Sequence, residues 1–166
     1  RPRFKRWDAR VEAVDFLELK RFAQKFGLTP PGVLLAAFCE VLGRWGKSKH
    51  FTLNVPMFNR MPLHPQVNSV MGTISTFNLL EVDHRAGGSF VEHARALQKQ
   101  LWQDIEHHHI GGIRILREMN RKRGSLTGAP MPVVFTSLPA EVDGWSSTWI
   151  DHLAEAFGEV KHALTQ

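Results

Sequence analysis

The stretch from His50 to Asp83 places the strongest constraint on how this chain can fold. It contains two runs rich in Phe, Val, Leu and Thr, FTLNVPMF at 51–58 and TISTFNLLEV at 73–82. Such runs are typical of strands in a sheet that is packed on one face or on both. The polar connection between them is too long for a tight hairpin turn, and connections of this length are more often functional than filler. We therefore expect a sheet built around these strands, with the function near their connection.

Helical patterns flank this stretch on both sides. In DFLELKRFAQKFG, apolar residues recur at helical spacing, and we predict Asp15 as the N-cap and Gly27 as the end. In the next pattern, Thr29 is the predicted cap, two prolines fit the first turn, and a largely apolar, buried helix runs to about Trp45. Beyond the strands, Ser89 is expected to cap a long amphipathic helix, SFVEHARALQKQLWQDIEHHH.

In the second half of the chain, the sequence pattern predicts one more helix and one more strand. Gly111 and Gly112 interrupt the long helix, and GIRILREMNRKRG predicts a helix that ends at Gly124. PVVFTS predicts another buried strand, and the segment after it suggests a helical turn around WIDHLAEAF and a strand around EVKHAL. Helices alternating with about four strands indicate an α/β fold in which helices are layered on a sheet.

The composition is that of a globular domain and argues against several other classes. The chain has 166 residues, of which 43% are hydrophobic, and no apolar run approaches the length of a membrane span. The single cysteine, Cys39, lies within an apolar helix pattern, which favours packing over a nucleophilic role and rules out an intrachain disulfide. The net charge of +5 is spread along the chain. We expect a cytoplasmic protein that binds neither nucleic acid nor a membrane.

Two groups of residues carry candidate chemistry near the end of the long helix. His107, His108 and His109 are consecutive, so their side chains point in different directions around a helix and do not form the usual metal-binding pair. We therefore predict no metal site. Asp104 and Glu106 lie where the glycine pair lets another backbone approach, and a carboxylate there could deprotonate a nucleophile or simply be exposed.

Two hydroxyl groups, those of Ser75 and Thr76, lie on the second predicted strand. Either could position a substrate carbonyl or a water molecule, although strand hydroxyls are more often satisfied within the fold. The chain has no GxSxG motif, no P-loop and no GxGxxG motif followed by an acidic residue. These absences argue against hydrolase, NTPase and dinucleotide-binding classes.

Several blocks, in this order, resemble the heterocyclization domains of nonribosomal peptide synthetases, which are relatives of their condensation domains. The blocks are GLTPPGVLLAAFCEVLGRW, FTLNVPMFNRMPLHPQVNSVMG, LLEVD, LWQDIEHHHIGGIRILREMNR, PMPVVFTS and FGEVKHALTQ. The resemblance implies a chloramphenicol-acetyltransferase-like fold of two lobes with a tunnel between them. Residues 1–166 resemble part of the C-terminal lobe, with helices layered on a mixed sheet, because the DxxxxDxxS motif of the N-terminal lobe is missing.

The resemblance also implies a reaction and a set of partners. The family joins an acyl or peptidyl thioester to a carrier-bound Cys, Ser or Thr, then closes the side chain onto the new amide and removes water, giving a thiazoline or oxazoline. The substrates arrive on phosphopantetheine arms, and no cofactor is expected to bind directly. The implied partners are the N-terminal lobe, peptidyl or acyl carrier domains and an adjacent adenylation domain. We expect the isolated chain to be inactive because half of the tunnel is absent.

Residue by residue, the resemblance implies a catalytic site whose two motifs both depart from the family pattern. Asp104 matches the first acid of the family's D-L-D-H-R helix motif, and Glu106 replaces the second acid. The family's G-D-F-T-S strand motif matches GTIST, in which Thr73 replaces the Asp and Ser75 replaces the Thr. Either Ser75 serves as the hydroxyl partner, or Thr76 takes over after a local shift, or cyclodehydration is impaired.

Five residues are assigned to substrate binding by the same resemblance. They are Asn59, Arg60, Thr73, Glu106 and Gln166, the last lying where ALTQ resembles the start of the family's SQTPQVWLD segment. Two alternatives to cyclization stay open: a condensation-like domain that forms only the amide, and a non-catalytic scaffold that docks carrier domains. The altered GTIST motif favours these alternatives.

Overall fold

A computed structural model of the chain describes residues 5, 7–72, 75–123 and 131–137. The chain divides into two compact units, and all of the helices and strands below lie in the first, residues 1–136. The helices are α1 (Ala13–Phe26), α2 (Pro30–Trp45), α3 (Phe90–Glu106) and α4 (Gly112–Arg123). The strands are β1 (His50–Phe58) and β2 (Ser75–Asp83), and a short 3-10 helix, Val67–Ser69, lies between them.

The two predicted strands pair directly with each other. β1 and β2 are antiparallel over their full length, with His50 opposite Asp83 and Phe58 opposite Ser75. The segment 131–137 joins the other edge of β1 through one parallel bridge, between Asn54 and Val134. The described sheet is therefore mixed, as predicted, but it has two strands and one bridge. The prediction of a full strand at PVVFTS is wrong within the described residues, because this segment pairs at a single position.

Asn54 holds the segment 131–137 in place through both its backbone and its side chain. Its backbone N–H donates to the Val133 carbonyl (3.0 Å), and its carbonyl accepts from the Phe135 N–H (2.9 Å). Its side-chain Nδ2 donates to the Met131 carbonyl (2.7 Å). An amide in the middle of an apolar strand thus has a structural use that the strand pattern did not reveal.

Most predicted helix ends are confirmed, and one is wrong. Gly27 ends α1 in the left-handed conformation, with φ of 69°. The Thr29 side chain caps α2, and Ser89 forms a reciprocal capping box at the start of α3. Asp15 is not the cap of α1: the helix begins after Glu12, which leaves Asp15 in the first turn, where a carboxylate is favoured by the helix dipole.

The core lies between the sheet and α2 and α3. It is formed by buried apolar side chains: Val33, Leu35, Ala36 and Cys39 from α2, Leu53 from β1, Leu80 and Val82 from β2, and Ala94 and Leu97 from α3, together with Ala23 from α1 and Leu28, which follows α1. α2 does not bury its whole surface, because Leu34 is 40% exposed and Val41 is 56% exposed. The prediction of a helix buried on most sides was therefore too strong.

Some predicted elements lie outside the described residues, namely those around WIDHLAEAF and EVKHAL and the helix end at Gly124. Among the described helices, none is long and apolar enough by itself to cross a membrane. α1 and α2 reach that length and composition only when taken together, and they are bent by 95° at the break between them.

The burial of Cys39 leads to a prediction about its reactivity. Burial raises the pKa of the Cys39 thiol to about 12, with a further contribution from the neighbouring Glu40 carboxylate. Because the thiolate is the reactive form, we expect iodoacetamide at pH 8 to label folded Cys39 at least ~100-fold more slowly than the urea-unfolded chain, as followed by intact-mass spectrometry. A Ser69→Cys variant, in which the new thiol replaces an exposed side chain, should gain one label quickly under the same conditions. Rapid labelling of Cys39 in the folded chain would contradict the prediction.

Candidate functional site

One face of β2 carries Thr76, Asn78, Leu80 and Val82, because alternate residues of a strand point to the same side. Leu80 and Val82 are fully buried, whereas Thr76 and Asn78 are half-buried. This face packs against α3 and the turn that follows it. It therefore changes along its length from apolar, in the core, to polar, near the end of α3.

Asp104 reaches this polar end from the last turn of α3. Its Oδ2 accepts a hydrogen bond from Asn78 Nδ2 at 3.0 Å, and both side chains are half-buried. The other carboxylate oxygen has no hydrogen-bond partner among the residues that the structure describes. Asn78 thus orients the carboxylate and leaves one oxygen available. The role of Asn78 cannot be predicted from the sequence, because only the docking of α3 on β2 brings the two residues together.

The two glycines after α3 let β2 approach closely, as predicted. A Cβ atom on Gly111 would collide with the hydroxyl of Thr76, and one on Gly112 would lie 2.5 Å from the ring of Phe77. Gly112 is fully buried in this contact. The start of α4 is therefore seated directly against the start of β2, next to the Asn78–Asp104 pair.

The two candidate hydroxyls, those of Ser75 and Thr76, lie on opposite faces of β2 because they are adjacent in the strand. Thr76 shares the face of Asn78 and contacts Gly111, on the side of α3. Ser75 is exposed on the other face, opposite Phe58 of β1. The structure brings Thr76 to the polar end of the α3 interface and does not bring Ser75 there.

The loop after β1 is held by Arg60. Its Nη1 donates to the carbonyls of Val67 (2.6 Å) and Val70 (3.1 Å), so the guanidinium closes the loop on itself. Asn59 is half-buried, and its Oδ1 is buried without a hydrogen-bond partner among the described residues. Arg60 therefore acts within the loop in this structure, while Asn59 retains an unused acceptor.

The remaining candidates are either exposed or outside the described part of the chain. Glu106 is exposed at the end of α3. His107 Nδ1 lies 2.8 Å from the carbonyl of Gln103, and His108 Nδ1 lies 2.5 Å from that of Ile105, so these rings face the carbonyls of their own helix end. Thr73 and Gln166 lie outside the described residues, and their assignment stays a prediction.

Comparison with known proteins identifies the family. No protein-family model matches the chain. Pyochelin synthetase PchF of Pseudomonas aeruginosa is 45% identical over 136 residues, which cover 81% of this chain and 7% of PchF. Phenyloxazoline synthase MbtB of Mycobacterium tuberculosis is 40% identical over 115 residues, which cover 69% of this chain and 8% of MbtB. The crystal structure of the EpoB cyclization-docking bidomain from Sorangium cellulosum shares 41% identity with a TM-score of 0.65, covering 78% of this chain and 26% of the bidomain.

This chain belongs to the heterocyclization domains of nonribosomal peptide synthetases. It is similar to a fragment from the C-terminal part of such a domain, and it spans less than a tenth of the length of PchF and MbtB. The predicted fold, a chloramphenicol-acetyltransferase-like lobe with helices layered on a mixed sheet, is confirmed. Whether residues 1–166 form one subdomain stays a prediction.

The contact between Asn78 and Asp104 can be measured as a coupling energy in this heterocyclization-domain chain. We expect the Asn78→Ala, Asp104→Ala and double variants to show a coupling of about 1.5 kcal/mol in urea unfolding, because the hydrogen bond is half-buried and its acceptor is charged. The His50–Glu81 contact is a matched control with both side chains largely exposed, and its coupling should stay below about 1 kcal/mol. Equal coupling energies for the two pairs would contradict the prediction that the half-buried Asn78–Asp104 hydrogen bond is stronger than an exposed contact.

Proposed function

We propose that the domain containing this chain condenses a carrier-bound acyl or peptidyl thioester with Cys, Ser or Thr, and then cyclodehydrates the product to a thiazoline or oxazoline. The likeness to the EpoB cyclization-docking bidomain, at 41% identity, is the observation that carries the proposal. The similarity to a protein named as a phenyloxazoline synthase supports the cyclizing step in particular. The substrates are carried on phosphopantetheine arms, and the domain itself needs no directly bound cofactor.

The proposed partners follow from this reaction. They are the N-terminal lobe of the same domain, the peptidyl or acyl carrier domains that deliver both substrates, and an adjacent adenylation domain that selects the amino acid. The place of action is the cytoplasm. The similarity to synthetases that are much longer than this chain supports a multidomain setting.

The reaction needs proton transfers at two stages. In the first, the amine attacks the thioester carbonyl, the new C–N bond forms, and the phosphopantetheine thiol leaves. In the second, the side-chain thiol or hydroxyl attacks the new amide carbon. The bond between this carbon and the former amide oxygen then breaks, that oxygen leaves as water, and the nitrogen loses its proton as the C=N bond forms. A group that accepts a proton from the nucleophile and one that helps the oxygen leave would accelerate this second stage.

Asp104 is the proposed acid and base of the second stage. Its orientation is set by the Asn78 amide, and its other oxygen is available to exchange a proton. Thr76 is the proposed hydroxyl partner in preference to Ser75, because it lies on the same face of β2 as Asn78. Asn59, Arg60, Thr73, Glu106 and Gln166 remain proposed substrate-binding residues.

Amide formation without cyclization, or carrier docking without catalysis, is the second candidate function. The observation that favours it is the position of Ser75, which matches the family's Thr but is exposed on the face of β2 turned away from Asp104. In that case the Asn78–Asp104 pair would only fasten α3 to the sheet.

Mass spectrometry of the intact parent synthetase, supplied with its acyl donor and a Cys-loaded carrier, tests this function. We expect a product lighter by one water than the amide, and we expect Asp104→Asn and Thr76→Val each to lower this product by about 100-fold while amide still forms. Thr52→Val is the matched control, since Thr52 is a half-buried strand hydroxyl opposite Glu81 on the other face of the sheet. If the unmodified protein gave only the amide, cyclization would be contradicted and the condensing function supported. If it gave no amide, the non-catalytic carrier-docking function would be supported. Loss of cyclization in Ser75→Ala, but not in Thr76→Val, would overturn the assignment of Thr76.

The isolated chain should show no turnover. The 166-residue chain supplies one wall of the implied tunnel, and general acid–base groups act only on a substrate held in position. Incubation of this chain with both loaded carriers should therefore give neither amide nor heterocycle by mass spectrometry. Measurable cyclization by the chain alone would contradict the two-lobe mechanism.

A further inference from the structure

The opposite end of the contact between β2 and α3 carries a second polar cluster, formed by Glu40, His84 and His93. Glu40 lies on α2, His84 directly follows β2, and His93 lies in the first turn of α3. Both imidazoles direct Nδ1 toward one carboxylate oxygen, Glu40 Oε1, at 2.6 Å from His93 and 3.9 Å from His84. The two rings are stacked, with centroids 4.6 Å apart and an interplanar angle of 8°.

The hydrogen bonds of His93 indicate a cation between its ring and Glu40. His93 Nε2 lies 3.1 Å from the carbonyl of Gly87, and Nδ1 lies 2.6 Å from Glu40 Oε1. A neutral imidazole has one N–H group, yet both nitrogens face acceptors. When Nε2–H donates to the carbonyl, the lone pair of Nδ1 faces a carboxylate, so at 2.6 Å a proton lies between the two atoms, and a metal ion can replace it once they move apart to roughly 3.3 Å. Metal-binding histidines usually donate their other N–H to a carbonyl or carboxylate in this way.

His84 offers its Nδ1 as a further ligand atom for the same ion. The residue is only 8% exposed, and its Nδ1 faces Glu40 Oε1 at 3.9 Å, a distance that is too long for a hydrogen bond but suited to a shared ion. Its Nε2, on the opposite side of the ring, is buried without a hydrogen-bond partner within the described ranges. An ion at Nδ1 would not contact Nε2, so the unpaired Nε2 does not itself point to the ion.

We propose that Glu40, His84 and His93 form a binding site for one divalent transition-metal ion of the zinc class. The three ligand atoms lie within 4.8 Å of one another. Zinc bonds of about 2.0–2.2 Å in a tetrahedral site require ligand atoms roughly 3.3 Å apart, and the observed 2.6 and 3.9 Å lie on either side of this value. Two imidazoles and one carboxylate suit zinc, nickel or cobalt better than magnesium or calcium, and they leave a fourth position for water.

The surroundings of the cluster give an ion access from solvent. A cavity of about 220 Å³ adjoins both histidines and is also lined by Glu81 and Asp83, whose carboxylates contact His50 and Arg85. On the other side, a cavity of about 500 Å³ adjoins the cluster and includes Arg44 and Lys49. The bound ion would tie α2, the end of β2 and the start of α3 together, at the end of the interface opposite Asp104.

Titration of the metal-free full chain with Zn²⁺ tests the site. We expect one ion per chain by calorimetry, together with a rise in melting temperature. His93→Gln and Glu40→Gln should each weaken binding by at least about 100-fold, more than the usual loss when an outer-shell partner is removed. Co²⁺ in place of Zn²⁺ should give visible absorption bands of a four- or five-coordinate ion, and these bands should disappear in Glu40→Gln.

The exposed histidine run at the end of α3 provides the matched control. A variant in which His107, His108 and His109 are all changed to Asn removes three imidazoles, two exposed and one half-buried, and leaves the cluster intact. It should retain the single ion, the rise in melting temperature and the Co²⁺ bands. Loss of binding in this variant, full affinity in His93→Gln with normal circular dichroism, or no binding by the unmodified chain would each overturn the proposal. In the last case a proton alone would bridge His93 and Glu40.

Discussion

The antiparallel register of β1 and β2 decides which side chains meet the helices. Leu53 lies directly opposite Leu80, and both are fully buried against α2 and α3. A shift of one residue would turn every side chain of the shifted strand to the other face, so Leu80 and Val82 would leave the core together. Because burial of each such side chain stabilises the fold by about 1.5–3 kcal/mol, the register is strongly specified. The positions of the polar residues on the same face follow from it.

The contact between β2 and α3 is apolar in its middle and polar at both ends. Leu80 and Val82 pack near Ala94 and Leu97 in the core. At one end, Asn78 donates to Asp104 in the last turn of α3, and at the other, His84 stacks on His93 in its first turn. α3 therefore runs antiparallel to β2. The apolar middle fixes the relative position of the two elements, and this position brings each polar residue to a specific partner.

Local sequence patterns predict most of the helices and strands, whereas the contacts between these elements could not be predicted from the sequence. Thr29, Ser89 and Gly27 act through neighbours within a few residues, so their roles can be read from the chain. The same local reasoning misplaced the cap at Asp15, because a first-turn carboxylate and an N-cap look alike in sequence. PVVFTS has strand composition, but a strand also needs a partner over several residues, and the described pairing is a single bridge. The contact of Asn78 with Asp104 could not be predicted from the sequence, and neither could the cluster of Glu40, His84 and His93. Both depend on the strand register and on the docking of α3.

The register also limits how the altered GTIST motif can be compensated. If Ser75 were to reach the face of Asp104 by a one-residue register shift of the whole of β2, Leu80 and Val82 would leave the core and Leu53 would lose its partner. Exposing these side chains would cost several kcal/mol, a large part of the roughly 5–15 kcal/mol that stabilises a typical domain. A register shift of the whole strand is therefore strongly disfavoured. In the observed register the hydroxyl on the α3 face of β2 is that of Thr76, and the hydroxyl of Ser75 lies on the other face of the sheet.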